Sequence, residues 1–358
     1  MGVALGLALA LGATSAHAVS PDPNPWLERH FLNIAHQGGE DEAPSNTMFA
    51  FKSALATRGA DMLELDVQLT ADGHLVVIHD DTVTRTTNGP TARPANQVRN
   101  MTLAQVQALD AGYWFRPNSH SHDPSIPPEQ FIYRGIRTGE KPPPKDYTAD
   151  DFRIPTLREV LDAFPATPIN IEIKMPKVCD GGLECDNAAL GIPTAQALAA
   201  LLNQPSYAGR DDLIVVSFSD LLIATFHQLD GAPYVALAPG IAGAAAYALT
   251  GVPPVPDVAA FQVPPRQNGL AVPEMLLNPP PAGQDAHGDG YAVHVWPNGE
   301  EPEGEASYAR LIALGIDGYM SSEPSRLHTY LCANAIPRPD GSDRCAKKKP
   351  KLRATLPG

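Results

Sequence analysis

Short apolar runs alternate with segments of helical spacing along most of this sequence, and that rhythm limits the folds open to it. Leu32–His36, Met62–Leu69, Leu75–His79, Ile169–Lys174, Leu213–Phe218, Tyr234–Ala238, Tyr291–Trp296 and Gly318–Met320 read as strands. Thr47–Arg58 (with Asn46 as its N-cap), Pro155–Phe164 (opened by a proline), Ala195–Leu202, Leu221–Leu229 and Ser307–Leu314 read as helices. Repeated strand–helix alternation predicts a parallel α/β fold. A barrel and an open sheet share this periodicity, so the pattern leaves both open. The 358 residues fit one large domain. Two stretches break the rhythm. Residues Arg116–Asp151, rich in Pro, Ser, His and Tyr, read as an insertion or long loop, and Gly251–Asp289 as a second irregular region.

The formal net charge of −14 makes the chain a poor partner for nucleic acid, whose phosphates attract basic surfaces. The chain starts with an apolar run that ends in Ala16-His17-Ala18, the small-residue spacing of an export signal, although the usual basic n-region is missing. The expectation is a signal over 1–18 and a mature periplasmic or extracellular chain from about Val19. No stretch is long and apolar enough to predict an integral membrane span. Four cysteines form two local pairs, Cys179/Cys185 and Cys332/Cys345. In an exported chain an even count favours disulfides, and neither spacing is that of a zinc knuckle. The tail 347–358 carries a basic run that reads as solvated.

Four clusters carry candidate chemistry. His36-Gln37-Gly38-Gly39 ends the first apolar run, where a barrel would present its site, and the glycines permit a sharp turn. Glu64-Leu65-Asp66 puts two carboxylates on one face of a strand, with Leu63, Leu65 and Val67 on the other. Inward carboxylates need pairing or a cation, and a hard divalent ion suits oxygen ligands. His79-Asp80 follows a second apolar run, and two histidines near one site can serve as acid and base. In Ile171-Glu172-Ile173-Lys174, Glu172 would complete a three-carboxylate site, and Lys174 would hold a phosphate oxygen as a point charge. Each cluster also has a plain structural reading: a turn, an acidic edge, a strand-end histidine, a surface ion pair.

Taken together, the set resembles the glycerophosphodiester phosphodiesterases. In order, the chain shows His36-Gln37-Gly38, Pro44-Ser45-Asn46-Thr47, Glu64-Leu65-Asp66-Val67, Thr70-Ala71-Asp72-Gly73, His79-Asp80, Arg85-Thr86-Thr87, Ile154-Pro155-Thr156-Leu157 and Glu172-Ile173-Lys174. Val295-Trp296 and Gly315-Ile316-Asp317-Gly318 follow near the end. The resemblance runs from about Asn33 to Leu331 and is loose between Asp180 and Gly290.

It implies an α/β fold, a (β/α)8 TIM barrel with irregular insertions, holding one divalent cation, Ca2+ or Mg2+. It implies Glu64, Asp66 and Glu172 as metal ligands and His36 and His79 as the acid–base pair. Gln37, Lys174 and Trp296 then fall at the phosphate and substrate pocket. Two positions depart from the family pattern: Gln37 stands where the family has arginine, and Ser45 where it has glutamate. Glutamine offers a phosphate only neutral hydrogen bonds. Glu40 and Glu42 are near enough to supply some of the missing acidity. The implied substrate is a small glycerophosphodiester. A lysophospholipid cleaved by a lysophospholipase D activity, a catalytically inactive phosphodiester-binding barrel and a metal-stabilised structural protein stay open as alternatives.

Overall fold

The structure, a computed structural model, describes residues 24–119, 121–177, 186–229, 234–237, 242–253, 258–278 and 283–346. In chain order its strands are β1 (Leu32–Ala35), β2 (Met62–Leu69), β3 (Leu75–Val77), β4 (Ile169–Ile173), β5 (Leu213–Ser217), β6 (Val235–Leu237), β7 (Val258–Val263), β8 (Arg266–Gln267), β9 (Leu270–Ala271), β10 (Ala292–Val295) and β11 (Gly318–Ser321). Its α-helices are α1 (Pro25–Glu28), α2 (Met48–Ala56), α3 (Leu103–Gln107), α4 (Leu157–Ala163), α5 (Ala188–Leu202), α6 (Asp220–His227), α7 (Ala242–Thr250), α8 (Val272–Leu277), α9 (Glu305–Leu314) and α10 (Pro324–Ala333). Among the described residues β1, β2, β4, β5, β6, β7, β10 and β11 pair in parallel in that order, and β1 also pairs with β11. The ring therefore closes, and a helix follows each of its strands: a (β/α)8 barrel.

Strand alternation sorts the core into two layers. Leu32, Ile34, Met62, Ile214, Val216, Ala260 and Met320 form one buried cluster within the ring. Their neighbours Ala35, Leu63, Leu65, Val67, Ile169, Ile171, Ile173 and Val215 join the helices in another. Strands apolar on both faces are what a parallel sheet covered by helices requires. The fully buried Trp26, carried on α1, belongs to the inner cluster. Asn24 caps α1 and donates to the carbonyls of Ala259 (2.7 Å) and Gly290 (2.8 Å), which ties this short helix to the ring.

Several local expectations are corrected. Thr47, not Asn46, caps α2, its hydroxyl accepting from the Ala50 amide. Asn46 instead takes a left-handed φ of 57°. Pro155 precedes α4 rather than opening it; Thr156 is the cap and forms a capping box with Glu159. The run before His79 is not a barrel strand, because β3 folds back antiparallel on β2. The region Gly251–Asp289, expected to be irregular, contains β7 and α8. Its prolines and glycines lie largely around these elements and masked their period. α5 begins at Ala188 and tolerates Pro193 within it. α10 carries no counterpart among the expected helices.

The stretch 116–151 holds only short 3-10 turns among its described residues. It is not detached: Ile136, Tyr133 and Tyr147 pack in one cluster with Ala43, Phe49 and Ala50 of the first βα unit. Cys332 and Cys345 are disulfide-bonded, with Cα atoms 5.2 Å apart. Next to that bridge the buried Arg344 donates to Asp61 Oδ2 at 2.5 Å and to the Phe31 carbonyl at 2.9 Å, anchoring the segment after α10. The pair Cys179/Cys185, the leader 1–18 and the tail 347–358 lie outside the described residues. No described helix is long and apolar enough to cross a membrane.

Candidate active site

The chain leaves β1 at Ala35 and turns sharply through His36–Gly38. Gln37, Gly38 and Gly39 all have positive φ, at 49°, 84° and 88°. A Cβ on Gly38 would lie 2.7 Å from the Ala50 Cβ, and one on Gly39 would lie 2.8 Å from the Pro324 ring. Both glycines are thus required by conformation and by contact. The turn aims the Gln37 amide N–H at Glu64 Oε2, 2.7 Å away.

Glu64, Asp66 and Glu172 point into the ring from β2 and β4. Register explains their meeting: Glu64 pairs with Asn170 and Asp66 with Glu172. All three are buried and offer oxygens within 4.8 Å of one another. Asn46, freed from capping by its left-handed backbone, donates to Asp66 Oδ2 at 2.8 Å. The other oxygen, Asp66 Oδ1, is buried and accepts no hydrogen bond. Oxygen donors only, one of them buried without a hydrogen bond, fit a hard divalent cation.

Lys174, the first residue after β4, supplies the opposing charge. Its Nζ lies 2.7 Å from Glu172 Oε1, 3.5 Å from Asp66 Oδ1 and 3.1 Å from His79 Nε2. His79 Nδ1 lies 2.7 Å from Asp80 Oδ1, and Arg85 grips both Asp80 oxygens at 2.8 and 2.9 Å. On the opposite side His36 Nδ1 lies 2.5 Å from Glu40 Oε1, and His36 Nε2 is 3.9 Å from Glu64 Oε2.

The electrostatics follow from this crowding. Burial, with Asp66 beside it, pushes Glu64 well above the usual carboxylate range. Burial acts the same way on Asp66, but the proximity of His79, Lys174 and His36 outweighs it and holds that carboxyl low. Burial disfavours the charged form of His36, yet Glu40 and Glu64 prevail and push it up to about 10. Lys174 is likewise raised, Glu172 and Asp66 overcoming its desolvation. Neighbouring carboxylates driven in opposite directions are a mark of functional sites.

A cavity of about 250 Å³ opens here, lined among others by His36, Glu64, His79, Glu172, Lys174 and Trp296. A neighbouring cleft of about 430 Å³ shares His79, Glu172, Lys174 and Phe218 with it. Trp296 is fixed by donating from Nε1 to the Gln262 carbonyl at 3.1 Å, and its ring meets Phe218 edge-on at 5.5 Å. The structure thus brings seven of the eight expected residues to one cavity's walls or ligand cluster. Gln37 is the exception: its side chain is buried and does not line the cavity, and its backbone does the work. Glu40 and Glu42, considered together from sequence, part company. Glu40 turns to His36, while Glu42 binds Arg58 and Ser325. Phe218, Asn170 and Gln262 also line the cavity and were not singled out from sequence. Phe218 follows β5 directly, and that position after a barrel strand was the available signal. The late Gly315–Gly318 motif is structural: Asp317 accepts from His287 at 2.9 Å and from the Val293 amide at 2.7 Å.

Comparison with known proteins agrees with this arrangement. The glycerophosphoryl diester phosphodiesterase family matches residues 36–325. A glycerophosphodiester phosphodiesterase of Caldanaerobacter subterraneus is 41% identical over 155 residues, covering 43% of this chain and 49% of that protein. One of Bacillus subtilis is 32% identical over 218 residues, covering 61% of this chain and 60% of that one. The chain thus spans roughly half the length of these curated relatives. In fold, a phosphodiesterase of Oleispira antarctica solved with its product sn-glycerol-3-phosphate superposes with a TM-score of 0.58 at 22% identity, over 83% of this chain and 95% of that one. With the match extending over most of its length, the chain belongs to the glycerophosphoryl diester phosphodiesterase family.

Proposed function

We propose that this protein hydrolyses glycerophosphodiesters to glycerol 3-phosphate and an alcohol. In this reading Glu64, Asp66 and Glu172 hold one divalent cation, Ca2+ or Mg2+, and His36 and His79 are the acid–base pair. The observation that carries it is the convergence of two histidines and a lysine on a cluster of three buried carboxylates, two of which line one cavity. The chemistry such a cation supplies is withdrawal of charge from the phosphoryl oxygens. Lys174 adds a fixed positive charge beside the same oxygens. One histidine takes the proton of the attacking hydroxyl, which is water or the substrate's own glycerol 2-OH. The other gives a proton to the oxygen of the departing alcohol as its bond to phosphorus breaks. Attack by the 2-OH yields a cyclic phosphate, which water then opens.

A second reading is favoured by one feature. Phe218, 37% exposed, and Trp296 put an apolar rim beside the polar centre. Such a rim suits the acyl chain of a lysophospholipid, cleaved at the same bond as by a lysophospholipase D. A panel of glycerophosphocholine and lysophosphatidylcholine, with products identified by mass, separates the two. Glycerol 3-phosphate from the first substrate supports the main reading; lysophosphatidate from the second alone replaces it.

A further inference from the structure

We infer that Glu40 is the positioning residue for His36, holding Nδ1–H on its carboxylate so that Nε2 faces the reacting centre. The inference rests on the proposed role of His36 as acid or base. The tight turn at His36–Gly39, with three successive positive φ values, folds the chain back so that Glu40 meets the ring four residues before it. Glu40 Oε1 lies 2.5 Å from His36 Nδ1 and also accepts from the Ser322 hydroxyl at 2.9 Å. Ser322 follows β11, the last strand of the ring, and its amide donates to Glu303 Oε2 at 2.9 Å. The Glu40 carboxylate is thus fixed from the closing strand while it fixes the histidine of the opening one.

The other histidine has the same plan with different parts. His79 Nδ1 meets Asp80, and Asp80 is gripped by Arg85. Both imidazoles are therefore backed by an anchored carboxylate at Nδ1, and both direct Nε2 at the Glu64–Asp66–Glu172 cluster and its lysine. A carboxylate accepts only, so Nδ1 must donate whether the ring is neutral or charged, and the ring's orientation is set. Glu42, two residues on, does not substitute, because it is engaged by Arg58 and Ser325.

The test compares Glu40→Ala, Glu40→Gln and Ser322→Ala with the full chain, using glycerophosphocholine turnover with Mg2+ or Ca2+ and 15N-imidazole NMR. Glu40→Ala is expected to lower kcat about 10–100-fold with KM little changed. Glu40→Gln, which can still accept from Nδ1–H, restores part of that loss, and Ser322→Ala has a smaller effect. In the spectrum, the wild-type His36 Nδ1–H signal is displaced downfield by its bond to Glu40, and Glu40→Ala returns it toward the free-imidazole position. An unchanged kcat in Glu40→Ala, or an unchanged His36 spectrum, overturns the inference. A wild-type chain inactive on every diester would sink the proposed function instead, while the spectrum still decides whether Glu40 holds the His36 ring.

Discussion

Lys174 Nζ lies 3.1 Å from His79 Nε2. An ammonium has only protons to offer, so the imidazole nitrogen accepts and the ring proton sits on Nδ1, toward Asp80. The same ammonium is 2.7 Å from Glu172 and 3.5 Å from Asp66. One lysine therefore both balances the carboxylate cluster and sets the state of a candidate catalytic histidine.

Removing that lysine separates the two duties. Lys174→Met leaves buried carboxylates without their countercharge, a loss of about 3 kcal/mol or more in buffer free of divalent ions. Added Mg2+ or Ca2+ should recover part of it. Denaturant unfolding in EDTA and with each ion measures the difference; equal loss under both conditions would mean that the lysine and the cation do not share these oxygens.

The two histidines predict matching kinetic losses. His36→Ala and His79→Ala should each lower turnover about 10²–10⁴-fold with the fold retained by circular dichroism. Full activity in either variant removes the acid–base scheme.

A pH effect on stability arises away from the chemistry. His294 is fully buried within the ring, with Nδ1 3.4 Å from Gln262 Nε2, which also donates to Asn170. Burial, together with the charge of Arg29, depresses it to about 4 from the ordinary 6.5. The unfolded chain binds a proton below pH 6.5 that the folded chain refuses until about pH 4. Stability from this group is therefore complete above pH 6.5 and falls with acidification, by on the order of 3 kcal/mol near pH 4. Urea unfolding across that range should show a shallower decline for His294→Gln; identical slopes would assign the loss to other groups.

Much of the ring and most of the site could be read from residues alone, for physical reasons. The period of two in Glu64-Leu65-Asp66 and Glu172-Ile173-Lys174 survives because these strands are buried on both faces and cannot slip register. β7 was hidden since Val258–Val263 has no alternation and is hemmed by prolines. β3 was legible as a strand but not as an antiparallel one outside the ring, because an apolar run carries no sign of its pairing direction. Glu40 could be placed near the site but not at Nδ1 of His36, because that contact depends on three positive φ values in a row. Gln37 shows the converse: its residue type suggested a side-chain contact, while its N–H supplies the interaction with Glu64.

The most direct test is the initial rate of glycerol 3-phosphate release from glycerophosphocholine by the purified chain, in EDTA and after restoring Mg2+ or Ca2+. The account predicts no release in EDTA, recovery with at least one ion, and no recovery in Glu172→Gln. Release that persists in EDTA at the full rate would contradict a cation held by Glu64, Asp66 and Glu172.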